Sequence, residues 1–144
     1  MARVFWSVLI AFACLGQPMP AGAQPVSNAS SASAEDLGRP FATAFFMPNS
    51  SEIEPAGREL LDLIAEMLNG DFADKAILII GHAAKGGDPS DPEEISAERA
   101  RQVGKYLVGK GVDADRITLE WRGADAPLLP GEFALNRRAE IYVR

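Results

Sequence analysis

A chain of 144 residues, 47% apolar and 24% charged, can bury one ordinary domain core and little more. Its formal charge of -6, from 20 Asp and Glu against 14 Lys and Arg, comes with scattered cations, which argues against nucleic acid as a partner. One Cys and one His exclude a structural zinc site or disulfide framework within a protomer, and almost exclude a Cys/His enzyme. No metal and no cofactor is expected.

Residues 1–23 read as a secretory signal. Arg3 supplies the basic start, Val4 to Leu15 is apolar apart from Ser7, and Ala21-Gly22-Ala23 forms the small-residue cleavage site before Gln24. The run is shorter than the ~20 apolar residues that cross a bilayer, and no longer one follows. The mature chain is therefore expected to be exported without a transmembrane segment. Cys14 offers a rival, lipidation, but Ala11 stands where a lipoprotein signal usually carries an aliphatic residue, and the downstream site fits better.

Residues 24–39 are rich in Ser and Ala, lack periodicity and read as a linker, so the domain spans 40–144. Phe41 to Met47 suits a strand, ended by Pro48-Asn49-Ser50-Ser51. Leu60, Leu61, Ile64, Met67 and Leu68 recur at helical spacing up to Asn69-Gly70. Ala76 to Ile80 is too short for a helix and reads as a strand buried on both faces, which implies helices covering it. A glycine-containing loop from Gly81 to Ser90 follows. Asp91-Pro92-Glu93-Glu94 is a helix start, with an N-cap, a proline in the first turn and acids on the positive dipole end. That helix continues through Ala100, Val103 and Leu107. Ile117 to Trp121 and Ala139 to Val143 alternate as strands. The order strand, helix, strand, helix, strand, loop, strand predicts an α/β (α+β) sandwich, a mixed four-stranded sheet with its helices packed on it.

Four segments carry a family resemblance: Gly81-His82 with Gly87, Ile95-Ser96-Ala97-Glu98-Arg99-Ala100, Gly123 with Pro127, and Asn136-Arg137-Arg138-Ala139-Glu140-Ile141. In this order and spacing they resemble the G-H-T-D-x-x-G, L-S-x-x-R-A, G-x-x-x-P and N-R-R-V-E-I patterns of the OmpA-like domain. That module is found in outer membrane protein A, the peptidoglycan-associated lipoprotein and flagellar stator proteins. The resemblance implies a periplasmic βαβαββ domain of a Gram-negative envelope that grips the diaminopimelate of peptidoglycan without covalent chemistry. An aspartate would take the ammonium group while an arginine forks onto the carboxylate.

The arginine falls on Arg99, but the aspartate position is Ala84, and the family's asparagine eight residues further on is Pro92. Peptidoglycan binding is thus expected through Arg99 and the loop from Gly81 to Asp91, in weakened form. The alternative is a diverged domain that has lost the cell wall and serves as an interaction module for another envelope protein. Neither reading is an enzyme; a hydrolase acting through loop carboxylates finds no general-acid pocket in the pattern.

The other candidate ligand contacts are His82, Asp88, Asp91, Asn136 and Arg137. Each has a plainer reading: a structural histidine at a strand end, solvated or capping aspartates, and a loop-closing Asn-Arg-Arg group. Arg99 itself would ordinarily be a solvated helix charge, yet its neighbours Ile95, Ser96, Gln102 and Val103 offer no acid. Arg101, by contrast, has Glu98. Trp121 and Phe133 are expected in the core.

Overall fold

The computed structural model describes residues 37–86 and 91–144. The signal, most of the linker and Asp88 lie outside the described residues. In chain order come β1 (Ala42–Phe45), α1 (Pro55–Asn69), β2 (Ile77–Gly81) and α2 (Pro92–Gly109). A 3-10 turn (Ala114–Arg116), β3 (Ile117–Trp121), a short α3 (Phe133–Asn136) and β4 (Arg138–Val143) complete the fold. The expected elements are present, and α3 occupies what the sequence gives as loop.

The sheet order is β1-β4-β2-β3, so the chain-terminal strand lies inside. β4 runs antiparallel to both neighbours, pairing Ala44 with Ala139 and Ile79 with Ile141. β2 and β3 are parallel, Ile79 opposite Leu119, with α2 as the crossover that a parallel pair requires.

Period two along the strands sends Ile77, Ile79, Ala139 and Ile141 to one face, where they meet Leu61, Ile64 and Leu68 of α1 and Ala100, Val103 and Leu107 of α2 in a single core. Every residue of β2 is buried, as expected, but both helices lie on that one face. The opposite face carries a separate cluster of Leu78, Ile80 and Tyr142, with Leu37 packed on it. The inward stripe of α1 is Gly57, Leu61, Ile64, Ala65 and Leu68, which leaves Leu60 and Met67 exposed at its margin. Phe133 is also exposed, contrary to expectation, because α3 sits on the rim rather than under the sheet.

At the start of α2 the Asp91 carboxylate accepts the Glu93 N–H at 3.0 Å, Pro92 occupies the first turn, and Glu93 and Glu94 face the dipole. The cap fixes where α2 begins, and therefore which of its side chains meet the end of β2.

Candidate functional site

Gly81 closes β2 against the first turns of α2. A Cβ there would land inside the Ser96 carbonyl oxygen, so only glycine lets helix and strand approach this closely. The Ser96 hydroxyl, fully buried, donates to Glu93 O at 2.9 Å and accepts from Gly123 N at 3.1 Å. This ties α2 to the turn after β3, where Gly123 adopts a φ of 51°. The sequence patterns containing Gly81, Ser96 and Gly123 thus meet at one junction.

One turn further along α2, Arg99 is 0% exposed, which overturns the default of a solvated helix charge. Its Nε and Nη2 donate to Ser50 O at 3.2 and 3.0 Å, and its Nη1 donates to His82 O at 3.1 Å. Its guanidinium carbon lies 5.5 Å from the centre of the Phe46 ring. Arg99 therefore joins the loop after β1 to the loop after β2. The β1 loop is held for this by a bridge between Phe46 and Ile53 and by Glu52 N–H donating to the Ser50 hydroxyl. Arg101 pairs with Glu98 at 3.4 Å, as its spacing predicts.

The His82 side chain points away from Arg99's contacts into a buried ionic group on the face opposite α1 and α2. Its Nε2 lies 3.4 Å from Glu140 Oε2, and neither ring nitrogen makes an aligned hydrogen bond. The approach to Glu140 is electrostatic. Glu140 instead accepts Arg138 Nε–H on Oε1 and the Tyr142 hydroxyl on Oε2, both at 2.8 Å. Burial alone would raise the Glu140 carboxyl, but His82, Arg138 and Tyr142 outweigh it and hold it at about 2. Burial, with the adjacent carboxylate, pushes Tyr142 up to about 12. Burial also lowers His82; Glu140 opposes this, while Arg138 and Arg122 reinforce it.

The remaining candidates are distributed around this centre. Asn136 accepts Leu128 N–H on Oδ1 at 2.7 Å and donates from Nδ2 to Leu129 O at 2.8 Å, so its amide braces the loop before α3. Arg137 is nearly buried, with Nε donating to Phe46 O at 3.5 Å. Arg138 also reaches Ala126 O at 3.2 Å. Ala84 is buried, while Asp91 is exposed and engaged as the cap. Arg99, His82 and Arg137 thus converge on two loops, whereas Asn136 serves a third. Phe46, Ser50, Arg138, Glu140 and Tyr142 complete the arrangement without having been candidates. Ser50 acts through its carbonyl, which side-chain chemistry does not reveal; Glu140, a carboxylate inside an apolar strand, carries a sequence signal.

Architecture and site together define an α/β domain whose polar chemistry is gathered in loops at one end of the sheet and on the face opposite α1 and α2. Residues 45–140 match the model of the OmpA family, and the chain belongs to that family. It is 33% identical over 106 residues to outer membrane protein A of Bordetella avium, covering 71% of this chain and 54% of that protein. It is 30% identical over 110 residues to outer membrane protein A of Shimwellia blattae, covering 67% and 46%. The chain thus spans about half the length of these curated relatives. Its fold matches the peptidoglycan-associated lipoprotein of Burkholderia pseudomallei with a TM-score of 0.64 at 24% identity, covering 71% of this chain and 89% of that one. The C-terminal domain of Helicobacter pylori MotB gives a TM-score of 0.64 at 22% identity, covering 70% and 81%. Among the described residues no helix is long and apolar enough to cross a membrane.

Proposed function

We propose that this protein is a periplasmic envelope protein that binds peptidoglycan non-covalently, with Arg99 and the loop following His82 as the centre of the contact and diaminopimelate as the recognised group. The observation that carries the reading is Arg99. At the position of the family's ligand-gripping arginine, a fully buried guanidinium donates, among the described residues, three hydrogen bonds to the carbonyls of two loops. Family membership and the name of the Burkholderia relative support it. The domain is taken as 40–144, preceded by a linker over 24–39 and a signal over 1–23. The role is binding, with no covalent step and no catalytic residue.

Ala84 sets the expected strength. A carboxylate absent from this position leaves the ligand's ammonium group without its anion, a loss of ~2–5 kcal/mol for a desolvated charge pair. A second reading, an interaction module for another envelope protein, is favoured by the buried Ala84 methyl and by Pro92, which has no N–H to donate.

Titration calorimetry with a diaminopimelate stem peptide, beside sedimentation with diaminopimelate-type sacculi, separates the two. Ala84→Asp is expected to tighten binding at least ~tenfold, which needs only ~1.4 kcal/mol. Arg99→Ala in that background should remove the gain. Absence of binding by both the native and Ala84→Asp proteins would put the interaction module first. Mass spectrometry of the envelope-derived protein tests export: a mature start at Gln24 is expected, and an acylated Cys14 would place the domain on a lipid tether.

A further inference from the structure

His82 belongs to two structures at once. Its backbone is part of the site: its N–H donates to Arg138 O at 2.9 Å, and its carbonyl accepts Arg99 Nη1–H at 3.1 Å. Its side chain, 3% exposed, lies in the ionic group on the face opposite α1 and α2. Among the described residues, the charged groups acting on the ring are Glu140 and Arg138 on β4 and Arg122 after β3; the Tyr142 hydroxyl shares Glu140, and Arg99 of α2 faces the His82 carbonyl.

A neutral imidazole places one N–H in this setting and an imidazolium places two, so protonation makes both ring nitrogens donors that each need an acceptor. Glu140 Oε2, 3.4 Å from Nε2, can serve that nitrogen beside the Tyr142 hydroxyl it already receives at 2.8 Å. Nδ1 has no acceptor among the described residues. Two guanidinium groups, on Arg138 and Arg122, add repulsion. A buried cation with an unmatched donor relaxes by reaching water. His82 is the first residue beyond β2, where the backbone that carries its carbonyl is no longer held in the strand and can turn as the ring moves outward.

We infer that His82 is a proton-operated latch, whose protonation draws its carbonyl off Arg99 and loosens the junction between the loops after β1 and β2. Acidification then weakens whatever ligand the junction holds. This last consequence rests on the proposed function; the latch itself does not.

The chain contains a single histidine, so its imidazole nitrogen resonances are unambiguous. A pH titration by nitrogen-detected NMR should show the ring protonating below the ordinary histidine midpoint of about 6.5. The Arg99 Nε–H resonance should shift or exchange-broaden with the same midpoint. A ring midpoint at or above that value, or an Arg99 resonance indifferent to it, overturns the latch. His82→Gln should remove the Arg99 transition, and its persistence in that variant would also overturn the inference. Sacculus binding should fall ~tenfold from about pH 7.5 to about pH 5, the effect of ~1.4 kcal/mol. If no binding occurs at either pH while the Arg99 resonance still follows His82, the peptidoglycan reading fails and the latch stands.

Discussion

Arg99 and Arg116 fasten backbone carbonyls at opposite ends of β2, and they do so differently. Arg116, half-buried, donates Nε to Lys75 O at 2.9 Å, Nη1 to Leu68 O at 3.0 Å and Nη2 to Phe72 O. All three acceptors belong to one stretch of chain, the end of α1 and the turn after it. Arg99 is fully buried, and its acceptors among the described residues, Ser50 and His82, come from two loops brought together by the sheet. The first arginine ends a helix; the second sets the position of one loop against another. Carbonyl binding by a guanidinium therefore does not by itself mark a recognition site. What distinguishes Arg99 is that its partners are loops at the end of a rigid sheet, the usual location of binding groups.

The sharpest test is to remove each side chain. Arg99→Ala should cost about 2–5 kcal/mol, since two carbonyls lose their donors at ~1–3 kcal/mol each and the packing on Phe46 goes with them. Arg116→Ala should cost less, about 1–2 kcal/mol, because its carbonyls regain water. Equal shifts in denaturant midpoint at equal slope would erase the distinction. Gly81→Ala acts at the Arg99 end alone, by forcing α2 away from β2. It is expected to cost ~1–3 kcal/mol as an overpacked contact and to broaden the Arg99 Nε–H resonance, while Arg116 is undisturbed. A crystal structure of this variant with Arg99 unmoved would show that the helix–strand approach does not set the guanidinium.

Smaller still is Asp91→Ala, at ~0.5–2 kcal/mol for a lost N-cap. It frays the start of α2 before it reaches Arg99, so hydrogen exchange should rise at Glu93 and Glu94 first. Last comes acid, with no effect at neutral pH. His82 has a folded pKa below its ordinary value, so the stability of its neutral form is complete above about 6.5 and declines as pH falls through the lowered value. Glu140 is held at about 2, so its contribution is complete above its ordinary value of 4.5 and is lost as pH falls toward about 2. Thermal melts should therefore decline in two stages. Glu140→Gln should suppress the second, and an unchanged slope below pH 4.5 would remove Glu140 from the account.

Local pattern in the sequence was enough to place the four strands and the two long helices, though not the single turn of α3, because periodicity, caps and breakers act within a few residues. Asp91 capping α2, Arg101 meeting Glu98 and the burial of β2 are all of this kind. The ordered patterns around Gly81, Arg99 and Asn136 were enough for the family. Tertiary structure alone decided that the last strand lies between the first two, because strand pairing is non-local and follows register rather than order. It also decided that both helices share one face, which left the other to Leu78, Ile80, Tyr142 and an ionic group. The residues three and four positions from Arg99 contain no acid, which says nothing about the Ser50 and His82 carbonyls that hold it. His82 and Glu140 are distant in the chain and meet because β4 pairs with β2 in the register that sets Gly81 opposite Ala139 and Ile80 opposite Glu140. A side chain's local chemistry is written in the sequence, but its partners are set by which strands lie side by side.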